Sequence, residues 1–395
     1  MAQTSSEQMR AWNGPALLSF GFRPFFLFSA VWAVFSMLLW IATLSGALDL
    51  PTRFDPVSWH AHAFLFGYLN AVLAGFLLTA VPNWTGRLPL VGWPLLGLVA
   101  LWIAGRVAVL VSAYLPPWAA VLIDLSFTIV LGYVVLREIV AGKNWRNLIV
   151  LGLLAAFTIA NALFHIEAAT GEFAAQGAGL RLGLATAVMM IAVIGGRIIP
   201  SFTRNWMVQH NCQTLPVPPM QRFDKFLLLL TIAGLLIWAI APELTLSALL
   251  LCTLGALHLV RLLRWKGYHT ATEPLVWVLH ISYTFIPAGA LVLGMAILKG
   301  DGIAAAQHLW MVGGIGGMTL AVMTRATLGH TGQPLHANLL TVIVYCSLFG
   351  AVIARFGADN FPVLTEVSGL LWLLSFGGFL WGYGPLLLRP RQAKV

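Results

Sequence analysis

Ten histidines are scattered through this 395-residue chain, and His60, His62, His165, His258, His280 and His308 fall in or at the edge of long apolar runs. An imidazole is costly in hydrocarbon and marks function there by default. Depth sorts these rings. With a cytoplasmic N-terminus, His60 and His62 open the second apolar run at the outer face, His165 closes the fifth there, and His308 opens the tenth there. His258 and His280 sit at similar depth toward the inner face, on runs joined by one short loop. The result is two tiers. His60 and His62 are two residues apart, so on a helix they diverge by roughly 200° and cannot grip one ion. They serve opposite sides instead. With His165 and His308 they could hold one haem iron and one copper, since imidazole suits both metals. On this reading His60, His62 and His308 are candidate haem ligands, and His62, His165 and His308 candidate copper ligands. His258 and His280 could bracket a second, bis-histidine haem, and two tiers would permit electron transfer through the membrane. For any single ring the plainer alternative is a hydrogen bond between helices.

Charged partners are few. Asp124 and Arg106 each lie about eight residues from their shared loop, so they should face each other as an ion pair, because neither charge could remain there alone. A minority role for Arg106 is to neutralise a haem propionate, and Arg197, Arg204 and Arg325 near the inner face could meet propionates or lipid phosphates. His330, just past Thr324-Arg325 in a Gly-rich turn, is a supporting candidate; His210, His269 and His336 are ordinary loop histidines. Asp55, Glu167 and Glu172 flank the outer histidines and could relay protons or simply face water. Trp59 and Trp277 lie close to candidate ligands and could pack on a porphyrin.

His308 and His330 also bound a telling stretch. At about 1.5 Å per residue they stand roughly 33 Å apart, about the depth of a bilayer core. Gly313, Gly314, Gly316 and Gly317 fall between them. Such glycines let another helix pack close or give a flat prosthetic group a bald face to lie on, and the stretch alone decides neither.

The elements that must position these residues are membrane helices. The chain is 59% hydrophobic and 9% charged, with mean hydropathy +0.88, far from the quarter charged residues of a soluble domain. Apolar blocks of about 20 residues recur along the whole length. Twelve spans are predicted, at about 25–46, 59–81, 92–113, 117–140, 147–168, 179–201, 223–241, 244–263, 273–298, 303–328, 337–356 and 362–386. They form a single transmembrane domain over 1–395, with a polar tail at 1–14, a bundle at 15–388 and a basic tail at 389–395. The inner side then collects most of the 22 basic residues, from Arg10 and Arg23 to Arg391 and Lys394; the outer side holds Arg53, Arg181, Lys299 and Arg355. That bias places both termini in the cytoplasm. The basic residues lie in short inter-helix loops, so the pI near 9.9 does not indicate nucleic-acid binding.

Internal echoes appear. IGG at 194–196 precedes Thr203-Arg204 as IGG at 315–317 precedes Thr324-Arg325, and the second span ends Val81-Pro-Asn-Trp-Thr-Gly-Arg87 much as the sixth ends Thr-Arg-Asn-Trp206. Spans two, six and ten are four apart, compatible with three four-helix units about a pseudo-threefold, as in subunit I of haem–copper oxidases. Transporters also carry internal repeats. Cys212, Cys252 and Cys346 form no C-x-x-C or C-x-x-C-H, which argues against iron–sulfur clusters and covalent haem, so that any haem here is expected to be haem b. No Walker loop, nucleophile elbow or zincin motif occurs.

The motifs themselves are familiar. WHAHAFLFGYLNAVLAGFLLTAVPNWTGR at 59–87, LGLATAVMMIAVIGGRIIPSFTRNW at 182–206, EPLVWVLHISYTFIP at 273–287, GGMTLAVMTRATLGHTGQP at 316–334 and the opening GFRPFF at 21–26 resemble the NnrS family, in order, from about residue 18 to the last span. The resemblance implies a twelve-span bacterial inner-membrane protein that contains haem and copper and belongs to denitrification or the response to nitric oxide and nitrosative stress. It brings no assignment of individual ligands. One departure is Ala63, where the family usually shows an acidic residue after W-H-A-H. The expectation is a redox protein handling nitric oxide, with membrane lipid around it and quinol a candidate electron donor for nitric oxide reduction. Its rivals are a non-catalytic haem- and copper-binding sensor, sequestering or assembly protein, and a proton-coupled secondary transporter.

Overall fold

The computed structural model describes residues 12–85 and 90–391, except for the side chains of 82–85. The chain is 81% helical, and the described residues contain no strand. Lipid offers the backbone no hydrogen bonds, so an apolar chain of this kind satisfies its N–H and C=O groups within helices. Twelve helices are long and apolar enough to cross a membrane: α1 Phe22–Leu44, α2 Pro56–Val81, α3 Trp93–Leu110, α4 Pro117–Ala141, α5 Trp145–Ala169, α6 Ala178–Gln209, α7 Arg222–Ile240, α8 Thr245–Leu263, α9 Pro274–Lys299, α10 Ile303–Thr331, α11 Leu339–Gly357 and α12 Val363–Leu388. These are the twelve expected spans. Their ends differ by a few residues, most at α6, which continues past the expected 201 to Gln209. The outer part of the expected N-terminal tail (residues 1–11), Arg87 at the end of the span-two echo, and residues 392–395 of the basic tail lie outside the described residues.

Local chemistry sets several helix starts. Asp55 caps α2 by accepting from Ser58 N at 2.9 Å, with Pro56 as first helical residue, where its missing N–H costs nothing. Asn338 caps α11, and Gln221 with Asp224 forms a reciprocal capping box on α7.

Three helices stand apart from the rest. In α2, α6 and α10 the apolar window is 83%, 72% and 72% buried, against 33–50% in the other nine. Among the described residues, π-helical turns occur only in these three, at Ala63–Leu69, Ile191–Gly195 and Leu309–Gly316. A π turn widens the helix and loosens its own hydrogen-bond ladder. Outside donors meet the resulting carbonyls: Trp32 Nε1 donates to Ala63 O at 2.9 Å, Trp102 Nε1 to Gly67 O at 3.1 Å, and Arg261 Nη1 to Ala192 O at 2.8 Å. The helices that carry the sequence echo are thus also the enclosed ones with an irregular turn.

The chain divides into two compact units. The first, Met1–Gly183 with Ala326–Pro334 and Phe379–Val395, packs α1 on α2, α2 on α4, α3 on α4 and α4 on α5. The second, Leu184–Arg325 with Leu335–Gly378, packs α7 on α8, α8 on α9, and the π turn of α10 against α9 and α11. Without a hydrophobic drive between helices in lipid, close contact depends on small residues. At Gly255 a Cβ would stand 2.9 Å from Pro287 O, and at Gly294 one would stand 2.7 Å from Ala248 O, so α8 and α9 approach backbone to backbone. On α10 the four glycines face side chains: Phe285 at Gly313, Ile286 at Gly314, Trp372 at Gly316 and Ser282 at Gly317. That face is a helix-packing surface.

Candidate functional site

The first unit gathers one polar cluster from four consecutive helices. α2 supplies His62, α3 Arg106, α4 Asp124, and α5 both Asn161 and His165, which are one helical turn apart and so share a face. All five are buried: His62 is 0% exposed and Asp124 1%. Asp124 is the hub. Its Oδ1 accepts from Arg106 Nη2; its Oδ2 accepts from Asn161 Nδ2 at 2.9 Å and lies 3.0 Å from His165 Nε2 and 3.2 Å from His62 Nε2. His62 Nε2 also lies 3.0 Å from Asn161 Oδ1, and the two imidazole centroids are 5.1 Å apart.

Aromatic rings wall the cluster from solvent. Phe54 meets both imidazoles edge-on at 5.2 and 5.4 Å, and Phe66 and Phe164 stand 5.3 and 5.5 Å from His62. In so dry a setting a carboxylate and a guanidinium stay charged only as a pair. Gly67 makes room for the guanidinium, since a Cβ there would stand 2.7 Å from Nη1. The pairing of Arg106 with Asp124 expected from equal depth is present.

The donors suit a metal ion. One ligand atom each from His62, Asp124 and His165 lies within 4.8 Å of the others. Ligands about 2.0–2.1 Å from a tetrahedral ion stand about 3.3 Å apart, close to the 3.0 and 3.2 Å separating the two imidazole nitrogens from Asp124 Oδ2. His62 Nδ1 is buried without a hydrogen-bond partner, and so are Arg106 Nε and Nη1, which as donors call for an acceptor and not for a cation. Two imidazoles and a carboxylate are a borderline donor set of the kind that suits copper and zinc.

The other predicted residues lie elsewhere. His60 diverges from His62 as its spacing requires and stacks on Trp40, with centroids 4.5 Å apart and an interplanar angle of 20°. His308 belongs to the second unit, where its Nδ1 lies 2.7 Å from Ala304 O. His258 and His280, also in the second unit, have close partners. His258 Nε2 lies 3.0 Å from Thr231 Oγ1 and Nδ1 2.9 Å from Tyr283 Oη; His280 Nε2 lies 2.7 Å from Thr203 Oγ1, and its ring covers Gly267. Arg325 stands 4.1 Å above the Phe202 ring, Arg197 is half-buried and Arg204 exposed. His330 sits between Phe20 and Phe22, 5.5 and 5.4 Å away.

Sequence reasoning missed two features. Asn161, four residues before His165, shares its face of α5, and that spacing was the available signal. The other is a second buried ion pair, Arg261 Nε to Asp224 Oδ1 at 2.8 Å, with Arg261 Nη1 also 3.1 Å from Tyr283 Oη. Both residues lie inside predicted spans, Asp224 in the seventh and Arg261 in the eighth, three positions after His258; their pairing is what the sequence did not show.

The family model described as NnrS protein matches residues 16–391, nearly the whole chain. No curated protein matches it.

Proposed function

The chain belongs to the NnrS family, and from that membership and the buried cluster we propose that it handles nitric oxide in the bacterial inner membrane at a copper centre held by His62, Asp124 and His165. The observation that carries this reading is the convergence of two imidazoles and a carboxylate in one fully buried, aromatic-walled cluster. Copper bound there would supply one-electron chemistry beside a small diatomic ligand. The chain's own residues do the rest. Asp124 supplies the single negative charge, Arg106 balances it, Asn161 holds the carboxylate and the His62 ring in place, and Phe54, Phe66 and Phe164 exclude water.

Haem b is the second proposed cofactor, with His60 in the first unit, or His258, His280 and His308 in the second, its candidate ligands and Arg197, Arg204, Arg325 and His330 in support. Iron ligation by His258 or His280 would require them to give up the Thr231, Tyr283 or Thr203 partners they now have. Quinol is the proposed electron donor for nitric oxide reduction. The complete enclosure of the cluster favours a second reading, a protein that senses or sequesters nitric oxide, or assembles another enzyme, without turnover.

Metal and haem counted per chain test the proposal. Purified wild-type protein should carry about one copper, and His62→Ala and His165→Ala should lose it while the protein remains folded. Wild-type protein without copper, or variants that keep it, would overturn the assignment. Anaerobic consumption of nitric oxide with reduced quinol then separates enzyme from sensor.

A further inference from the structure

We infer that the first unit carries a binding site for a phosphate-bearing anion, an acidic phospholipid headgroup by preference, in the cavity between the start of α1 and the ends of α10 and α12. This goes beyond the metal reading and does not depend on it. The cavity holds about 440 Å³ and is lined by Trp12, Phe20, Phe22, Arg23, His330 and Arg391, among others. Among the described residues no carboxylate lines it. Arg23 is 3% exposed, and its Nη1 donates to the carbonyls of Leu386, Leu387 and Arg389 at 3.2, 3.0 and 2.6 Å. Those are dipoles, not counter-ions. Among the described residues no carboxylate forms an ion pair with Arg23, so a buried full charge, a second guanidinium at Arg391 and an imidazole at His330 share one cavity without an anion.

The rest of the lining fits the same class of ligand. The first turn of α1 begins at Phe22 on the cavity wall, and the N-terminal end of a helix carries a partial positive charge. Trp12, Phe20 and Phe22 add aromatic surface suited to an acyl or glycerol segment. Helix ends of this kind lie at the membrane surface, and the distribution of basic residues places these on the cytoplasmic side, where acidic headgroups attract basic clusters. A free phosphate would meet the same cations but leave the aromatic rim unused.

The test uses full-length protein in nanodiscs of neutral phosphatidylcholine, with or without phosphatidylglycerol, and reads retained lipid by native mass spectrometry. Because Arg23 ties down the end of α12, the variants are His330→Gln, Arg391→Gln and the double substitution. Wild-type protein should retain phosphatidylglycerol over phosphatidylcholine; Arg391→Gln should weaken retention about fivefold, the effect of one basic residue near a membrane surface, and His330→Gln, which removes only a hydrogen-bonding imidazole, should weaken it less. Inorganic phosphate that binds in neutral discs and is lost in the double variant would keep the anion site and make free phosphate its source. No preference for phosphatidylglycerol together with no phosphate binding would overturn the inference, as would a double variant that retains lipid like the wild type.

Discussion

Asp124→Asn isolates the charge at the centre of the cluster. The substitution preserves shape and removes the one anion that pairs with Arg106 among the described residues, while Arg106 Nε and Nη1 have no hydrogen-bond partner to share the charge. It also places an amide NH₂ where Asp124 now accepts from Asn161 and faces His165. Removing one partner of a buried ion pair costs about 3–5 kcal/mol. At about 2 °C per kcal/mol for a chain of this size, the unfolding midpoint should fall by roughly 6–10 °C. Tryptophan fluorescence during heating, with metal chelated throughout, reads the ion-pair contribution alone. Removing both charges, Arg106→Gln with Asp124→Asn, should recover most of the loss. Copper restored at 100 times its Kd should add about 2.7 kcal/mol to the wild type and little to Asp124→Asn. A single variant that melts within about 2 °C of wild type, with or without copper, would refute the argument that Asp124 is the hub.

Further outcomes follow from other contacts. Tyr283→Phe removes the hydroxyl shared by His258 and Arg261 and should cost about 1–3 kcal/mol in thermal unfolding, the penalty for buried groups left unsatisfied. Asp224→Asn should cost about 3–5 kcal/mol for the same reason as at Asp124; a loss under 1 kcal/mol would show that Arg261 is held by its other acceptors. Gly179→Ala places a methyl 2.3 Å from Phe164 N and 2.9 Å from Ala160 O. It should cost about 1–3 kcal/mol by overpacking and, because it displaces the turn that carries Asn161 and His165, lower the copper content; unchanged copper would separate α5 from the metal.

The twelve helices are legible in the sequence because lipid leaves an apolar chain no alternative to them. Arg106 and Asp124 are legible as partners because helices joined by a short loop bring residues of equal depth together, and the divergence of His60 and His62 because helical spacing alone fixes it. What the sequence does not show is that Asp124 also serves His62 and His165. That depends on how α4 is rotated about its axis and on the π turn that begins directly after His62. The second ion pair was hidden for a like reason. Asp224 and Arg261 each lie inside a predicted span, near its inner end, and only the rotations of α7 and α8 about their axes bring the two side chains together.

The wide turns in α2, α6 and α10 have a consequence for how these helices are read. Such a turn amounts to an α-helix with a surplus residue, and every side chain beyond it is swung by about 100° from where an unbroken helix would aim it. His62 above the turn and Asn70 below it, which donates to Thr128 at 2.9 Å, therefore answer to separate rotational phases. Trimming one residue from 63–69 would leave α2 able to cross the bilayer with its backbone satisfied, yet would turn both of its histidines toward different neighbours.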